Sequence, residues 1–402
     1  MKQLLFEDDP QFWFETLRVF GHASYGGADF GEVVATASRI KPGDYDSWHD
    51  EWLATAERLA AEAASARPVS ARDAYLRAST YFRSAEFFLH GNASDPRIAY
   101  AYDRSVACFH RAVEGFEGIE HVEIPYEDHV LRGYFYRAPG AGRKPIVVMC
   151  NGFDGAAEEL MFFGGLAGQE RGYHVLAVDG PGQPSAIHRD GLVFRPDWEH
   201  VVAPVLDFAL ADPGVDSEKV ALLGLSLGGL LAPRAAAFEP RIKAVVAVDG
   251  VFDAGSAVTA MLPWPREEIV RRANAAEDAE FDQLLAAGRA ASPTLRWAAD
   301  HGRYVMGAKT DREFLAKYLT YTLDGGVAER ISCPALICEA TDDLFFNGTD
   351  GQESEPRRLY ARLTGPKTLL SFTAEEGADA HCHVGAQRLA AARVFDWLDE
   401  TL

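Results

Sequence analysis

The residues best suited to do chemistry lie in one short segment, KVALLGLSLGGL, at positions 219–230. Its centre is Gly224-Leu225-Ser226-Leu227-Gly228, a G-x-S-x-G pattern with a strand-like apolar run before it and a helix-compatible run after it. The turn is so sharp that a Cβ two residues before or after the serine would clash, which favours glycine there. The pattern predicts a strained nucleophile elbow that holds Ser226 at the positive end of a helix.

A serine hydroxyl is a poor nucleophile at neutral pH, so it needs a base and an acid that orients the base. Proteins with this elbow carry the acid and then the histidine later in the chain. The acid is expected in CEATDDLFFN, just past a buried apolar run, where the spacing favours Asp343 over the alternative Asp342. The base is expected in EEGADAHCHVGA, before the final helix, where His381 is favoured over His383.

Attack on a carbonyl creates an oxyanion that needs fixed hydrogen-bond donors. The first expected donor is the backbone N–H of Leu227, directly after the serine. The second is expected in the loop NGFDG, residues 151–155, where Phe153 is the best candidate and Gly152 permits close backbone approach. Two histidines flank Cys382, but no further ligands stand at a matching spacing, so we predict no metal and no cofactor.

Four parts of the chain must position these residues. Residues 1–117 are predicted to be a helical N-terminal segment rich in aromatic residues. Residues 118–253 and 327–402 alternate between buried, β-branched strands and helices, which indicates a mostly parallel sheet in two sequence blocks. Residues 254–326 interrupt that alternation and are predicted to form a helical lid insertion.

Composition limits the partners. The net charge of −21 argues against nucleic acid and anionic membranes, and no run of apolar residues is long enough to span a bilayer. Five scattered cysteines and an acidic N-terminus without a signal-peptide pattern predict a cytoplasmic protein. A homodimer is compatible with the sequence but not required by it.

The segments NGFDGAAEEL, DGPGQ, GLSLGGLLAPRAAAFEPRIKAVVAVDGVFD and GADAHCHVGA together resemble one branch of the α/β-hydrolase superfamily. That branch contains 2,6-dihydroxypseudooxynicotine hydrolase, fungal pigment hydrolases that shorten heptaketides, and fermentation-respiration switch-like proteins. The N-terminal helices, with AYLRASTYFRSAEFF, are also similar to this branch. The resemblance implies an α/β-hydrolase fold with an eight-stranded, mostly parallel sheet flanked by helices. It also implies Ser226, Asp343 and His381 as the triad, and Phe153 and Leu227 as oxyanion donors.

The expected function is serine-dependent hydrolysis of a small-molecule acyl or ketone substrate. The bond is either an ester, thioester or lactone, or a carbon–carbon bond next to a ketone of an aromatic or polyketide compound. No acidic residue follows Gly255 before Glu267, so a lid carboxylate for carbon–carbon cleavage is not evident. The alternatives are an acyl transferase or cyclase on the same fold, or a catalytically silent small-molecule receptor. The residues that bind the substrate are not identified by the sequence.

Overall fold

The computed structural model describes residues 2–348 and 352–402. Its central element is one eight-stranded sheet. In chain order the strands are β1 (Ile119–Tyr126), β2 (His129–Tyr136), β3 (Lys144–Cys150), β4 (His174–Val178), β5 (Val215–Leu225), β6 (Ala244–Val248), β7 (Ala335–Ala340) and β8 (Lys367–Phe372). Across the sheet the order is β1-β2-β4-β3-β5-β6-β7-β8.

The sheet is antiparallel only at one edge. Strand β1 pairs with β2, and β2 with β4, in antiparallel register, whereas every later pairing is parallel. Strands β4 and β6 are buried along their whole length, as expected for parallel strands covered on both faces. The predicted fold class, a mostly parallel eight-stranded sheet, is therefore confirmed.

Helices of the N-terminal segment precede the sheet. They are α1 (Pro10–His22), α2 (Phe30–Ala37), α3 (Tyr45–Ser65), α4 (Pro68–Glu86) and α5 (Pro96–Val113). Aspartates 9, 29, 44 and 95 each accept a backbone N–H at the start of a helix, which explains where four of these helices begin. Many of their aromatic residues, including the fully buried Trp48 and Trp52, belong to the same apolar core as one face of the sheet.

The remaining core helices flank the sheet. They are α6 (Leu166–Glu170), α7 (Pro184–Asp190), α8 (Glu199–Leu210), α9 (Gly228–Ala236), α15 (Glu355–Arg362) and α16 (Gln387–Thr401). The segment after β3 becomes helical only at a π-helical turn, Met161–Gly165, because the preceding residues form a loop stabilised by side chains. In that loop the Asn151 amide donates to the Ala156 carbonyl over 2.6 Å, and the Glu159 carboxylate accepts the Ala156 N–H at 3.2 Å.

Between β6 and β7 the chain forms a helical insertion. It consists of α10 (Ser256–Ala260), α11 (Arg266–Ala273), α12 (Ala279–Ala291), α13 (Pro293–Val305) and α14 (Asp311–Tyr318). The insertion has a small apolar cluster of its own around Ile269, Phe281 and Leu315. Within the described residues, no helix combines the length and apolar character needed to cross a membrane.

Candidate active site

Ser226 lies in the turn between β5 and α9. Its φ of +60° is in the left-handed region, which is strained for a residue with a Cβ. A Cβ on Gly224 would lie 2.0 Å from the Gly228 carbonyl oxygen, and one on Gly228 would lie 2.9 Å from the Asn151 carbonyl oxygen. The expectation that both positions need glycine is therefore confirmed, and the turn has the sharp, strained geometry that the sequence predicts.

Asp343 and His381 are in direct contact, although they are 38 residues apart. The carboxylate Oδ2 of Asp343, in the loop after β7, lies 2.7 Å from Nδ1 of His381. The other oxygen, Oδ1, accepts the backbone N–H groups of Phe345 and Phe346 at 2.7 and 3.1 Å. These bonds fix the carboxylate so that it can hold the imidazole with Nδ1 protonated and leave Nε2 to act as a base.

The two alternatives lie in other environments. Asp342 is exposed, and its backbone N–H donates to the Asp379 carbonyl at 2.9 Å. His383 is fully buried and stacks on Phe372 with 3.8 Å between ring centroids. Its Nδ1 lies 3.1 Å from the carbonyl oxygen of Ala378, so that nitrogen is used as a donor to the main chain. The structure thus brings Asp343 and His381 together, and not Asp342 and His383.

Asp249 is a residue of this site that the sequence analysis missed. It directly follows β6 and is fully buried. Its Oδ2 accepts the backbone N–H of Cys382 at 2.9 Å and lies 3.5 Å from Nδ1 of His381. Its Oδ1 lies 3.4 Å from Nε2 of His383. The available signal was an aspartate at the carboxyl end of a buried parallel strand, which is the edge where Ser226 also lies.

The electrostatics of the pair favour a charged imidazole. Burial is the largest influence on the pKa of His381 and lowers it, but the Asp343 carboxylate and the other neighbouring groups together outweigh burial, and the pKa lies well above its ordinary value of 6.5. Asp249 adds to the same effect. Burial also raises the pKa of the Asp249 carboxyl, yet His383 and His381 together hold that pKa below its ordinary value. A proton taken up by His381 during a reaction would therefore be stabilised by two carboxylates.

The loop after β3 lies directly against the elbow. A Cβ on Gly152 would come within 2.5 Å of the Leu227 nitrogen and 2.7 Å of the Ser226 Cβ, so the expected close approach is confirmed. The buried Gln183 amide donates to the carbonyl oxygens of Asn151 and Gly152 at 2.5 and 3.2 Å. Because the Gly152 carbonyl and the Phe153 N–H belong to one trans peptide, a hold on the carbonyl also orients that N–H. Gln183, in the DGPGQ turn, is a second residue whose role the sequence analysis missed.

Buried charges join this loop to helix α1. Arg18 donates to Asp154 at 2.8 Å and to both carboxylate oxygens of Glu159 at 3.0 and 2.9 Å. Arg83 of α4 lies 2.9 Å from Glu159 and 3.2 Å from Glu15. Burial raises the pKa of Glu15 to about 7 in spite of the two arginines. The N-terminal helices therefore contact the candidate site through ion pairs as well as apolar packing.

A cavity of about 320 Å³ opens above the elbow. Ser226, Leu227, Phe153 and His381 all line it, and Asp343 contacts His381, so the five residues predicted for the site lie at one cavity. Most of the lining is apolar and comes from all parts of the chain. Apolar lining residues include Phe14, Phe163, Val258, Met261, Leu262, Leu284, Leu285, Leu295, Trp297, Phe314, Leu315, Tyr318, Leu344 and Phe345.

Two clusters of the described residues bring possible metal-ligand atoms within 4.8 Å of one another. One is Asp249, His381 and Cys382, and the other is Glu86, His90 and His188. In the first, the Cys382 thiol donates to the Val248 carbonyl at 3.3 Å, and burial raises its pKa. In the same cluster, Nδ1 of His381 contacts Asp343, Oδ2 of Asp249 accepts the Cys382 N–H, and Nε2 of His381 lies 3.5 Å from the Cys382 sulfur.

Comparison with known proteins agrees with the fold. A model of the alpha/beta hydrolase family matches residues 147–394. Hydrolase LUC6 of Fusarium sp is 37% identical over 97% of this chain and 96% of its own. The 20-hydroxy-prefusarin hydrolase FUS2 of Gibberella moniliformis is 35% identical over 97% and 96%. The crystal structure of the 2,6-dihydroxy-pseudo-oxynicotine hydrolase matches with a TM-score of 0.71 at 21% identity, covering 95% of each chain.

The chain therefore belongs to the α/β-hydrolase family. Within that family it is similar to fungal proteins named as hydrolases over nearly its whole length. The resemblance inferred from the elbow, the DGPGQ turn and the histidine loop is confirmed.

Proposed function

We propose that the protein is a serine hydrolase in which Ser226 is the nucleophile, His381 the general base and Asp343 the acid. The observation that carries the proposal is that the strained Ser226, the His381 of the Asp343–His381 pair and the Gly152–Phe153 loop line the same cavity. Nucleophile, base and oxyanion donors must meet in this way for acyl transfer.

In the proposed reaction, Nε2 of His381 takes the Ser226 hydroxyl proton as Oγ attacks the substrate carbonyl carbon. The N–H groups of Leu227 and Phe153 stabilise the oxyanion of the tetrahedral species. His381 then returns the proton to the leaving group, an alkoxide, thiolate or ketone-stabilised carbanion. Water, deprotonated by His381, attacks the acyl-enzyme and releases the acid and free Ser226.

The cavity supports a medium-sized, largely apolar carbonyl compound as substrate. Its lining is mainly leucine, phenylalanine and other apolar side chains, and Met261, at its edge, is 61% exposed. The relatives include one named for a prefusarin, which supports a polyketide-like substrate. We infer that the insertion of residues 256–318 acts as a lid and that α1 completes the wall opposite it.

The lining favours acyl C–O or C–S hydrolysis over carbon–carbon cleavage. The first insertion residues that line the cavity, Ala257, Val258 and Met261, carry no carboxylate that could assist departure of a carbanion. The two acids that line the cavity, Asp154 and Asp311, are paired with Arg18 and Arg289. Ester-type substrates need no such group, because His381 alone can protonate an alkoxide.

A panel of aryl esters, lactones and acylated phenolic ketones tests this function, with wild type compared with Ser226→Ala. We expect turnover of ester-type members and a fall in kcat of about 10⁶-fold in the variant, as when other serine nucleophiles are removed. The variant should retain intact substrate, visible by native mass spectrometry, and so identify the bond. Equal turnover by both proteins would refute the role of Ser226, and cleavage of the phenolic ketones alone would reverse the bond assignment.

A further inference from the structure

A chain of buried polar side chains runs into the interior from the loop after β3, residues 151–155, which carries the proposed Phe153 donor and is called the oxyanion loop below. The chain leads away from the proposed triad. His301, on α13 of the insertion, places Nε2 2.8 Å from the Phe153 carbonyl oxygen and Nδ1 2.9 Å from Nδ1 of His90. Nε2 of His90 and Nε2 of His188 each lie 2.9 Å from the same oxygen of Glu86. The chain thus joins the insertion, the end of α4, helix α7 and the oxyanion loop.

The direction of the first hydrogen bonds follows from the groups involved. A carbonyl oxygen only accepts, so Nε2 of His301 carries the proton and donates to Phe153. Burial lowers the pKa of His301 to about 3, so the ring is neutral and its Nδ1 accepts from His90. Burial also raises the pKa of Glu86, but His188 and His90 hold it below its ordinary value, so Glu86 is a carboxylate that accepts from both rings. These directions place a proton on both ring nitrogens of His90, with Nδ1 donating to His301 and Nε2 donating to Glu86.

Aromatic packing holds His301 in this orientation. Trp297 stacks on its ring with 10° between the planes, and the Phe153 ring meets it edge-on at 5.0 Å. His301 is 4% exposed, so water does not compete for its hydrogen bonds. The interaction with Phe153 is therefore a fixed contact.

Two side chains consequently hold the backbone on both sides of the Phe153 N–H. Gln183 holds the carbonyl of Gly152, which precedes that N–H, and His301 holds the carbonyl of Phe153, which follows it. With both peptide planes held, the N–H has one direction. This matters because an oxyanion donor is effective only when it is aimed in advance at the developing charge.

We propose that His301 positions the Phe153 oxyanion donor. It can do this only when the insertion is packed against the N-terminal helices, so that His301 contacts His90. The inference rests on the proposed serine-hydrolase function. According to this inference, the Phe153 N–H is aimed at the oxyanion only when the insertion is in place. The buried His90–Glu86–His188 cluster then has the role of keeping the proton of His301 on Nε2, the nitrogen that donates to Phe153.

The test compares two substitutions that separate shape from hydrogen bonding. His301→Phe keeps an aromatic ring in the Trp297 stack but removes the donor, whereas His301→Gln keeps an N–H donor but removes the ring. The readout is the second-order rate constant for labelling of Ser226 by a fluorophosphonate probe, whose phosphoryl oxygen occupies the oxyanion site. We expect labelling of His301→Phe to slow by about 10- to 100-fold, less than the 10²- to 10³-fold loss of a whole donor, and His301→Gln to recover most of the rate.

His174→Phe is the matched control, because His174 is also a buried histidine whose ring binds a main-chain group, the Ala138 N–H at 3.1 Å. It lies at the start of β4, so we expect wild-type labelling from it. Labelling of His301→Phe at the wild-type rate, or slow labelling of His301→Gln alone, would show a packing role only and overturn the inference. If His301→Phe does not fold, slow labelling in Glu86→Gln, which leaves His301 in place, supports the inference and wild-type labelling overturns it. Absence of labelling in wild type itself would instead refute the proposed function.

Discussion

At the scale of single residues, two carboxylates share one imidazole. Asp343 makes the shorter contact with His381, 2.7 Å against 3.5 Å for Asp249, and its other oxygen is fixed by two backbone N–H groups. Asp249 instead holds the backbone N–H of Cys382, next to the base. We therefore assign orientation of the ring to Asp343 and placement of the histidine loop to Asp249, together with part of the negative charge near His381.

Asp249→Asn is expected to shift the pH dependence of catalysis. His381 must be neutral to act as a base, so activity rises with pH through its pKa, and the raised pKa puts this acidic limb above 6.5 in wild type. Removing the charge of Asp249 removes one influence that raises this pKa, so the limb of kcat/KM should move to lower pH. The measurement is a pH–rate profile with an aryl ester that the wild type hydrolyses.

Asp212→Asn provides the control for that profile. Asp212 also accepts a backbone N–H, that of Gly214 at 2.8 Å, but it lies before β5 at the opposite end from Ser226. The acidic limb of the kcat/KM profile of Asp212→Asn should coincide with that of the wild type. A limb that stays in place or moves to higher pH in Asp249→Asn would contradict the charge assigned to Asp249.

At the scale of elements, helix α1 is held to the core by buried ion pairs. The Arg18 side chain is 8% exposed, and its partners Asp154 and Glu159 are 17% and 4% exposed. Burial of such a group set contributes little net stability while it is complete, but loss of one member leaves uncompensated charges. The segment that carries Asp154 also carries the Phe153 donor, so α1 supports the loop that the proposed mechanism needs.

Arg18→Met should lower the free energy of unfolding by about 3–5 kcal/mol, because three buried carboxylates, Glu15, Asp154 and Glu159, would then share Arg83 as their one remaining arginine partner. Urea unfolding followed by circular dichroism measures this change. Arg39→Met is the matched control: Arg39 pairs with Glu51 at 2.5 Å, but its side chain is 48% exposed, and loss of an exposed pair costs at most about 1 kcal/mol. Equal losses in both variants would mean that the buried cluster adds nothing specific.

At the same scale, the sequence predicts elements whose signals are local. The inner parallel strands are visible because they contain continuous apolar runs. The elbow is visible because its G-x-S-x-G pattern is short, and the need for Gly224 arises within it, from the Gly228 carbonyl. The loops holding Asp343 and His381 follow from their place after strands of known order. The helical segment after β3 has no such local signal for where it begins, because its first residues form a loop held by side-chain hydrogen bonds of Asn151 and Glu159.

At the scale of the whole molecule, the contacts that support the site join distant parts of the chain. Asp249 meets Cys382 across 133 residues, and His301 meets Phe153 across 148 and His90 across 211. No local pattern encodes such contacts, because they arise only once the N-terminal helices, the sheet and the insertion pack together. This is why Asp249, Gln183 and His301 were not predicted, and why the cavity lining could not be read from the sequence.

The candidate site thus depends on the complete molecule, with the proposed reacting groups at the sheet edge and their supporting contacts on the flanking helical parts. The central claim is that Ser226 is the activated nucleophile of this assembly. Its most direct test is mass-spectrometric mapping of the residue modified when a fluorophosphonate inactivates the protein. The account predicts one adduct, on the peptide containing Ser226, formed in step with loss of activity and absent from Ser226→Ala. Inactivation with the adduct on another residue, or full activity in Ser226→Ala, would contradict it.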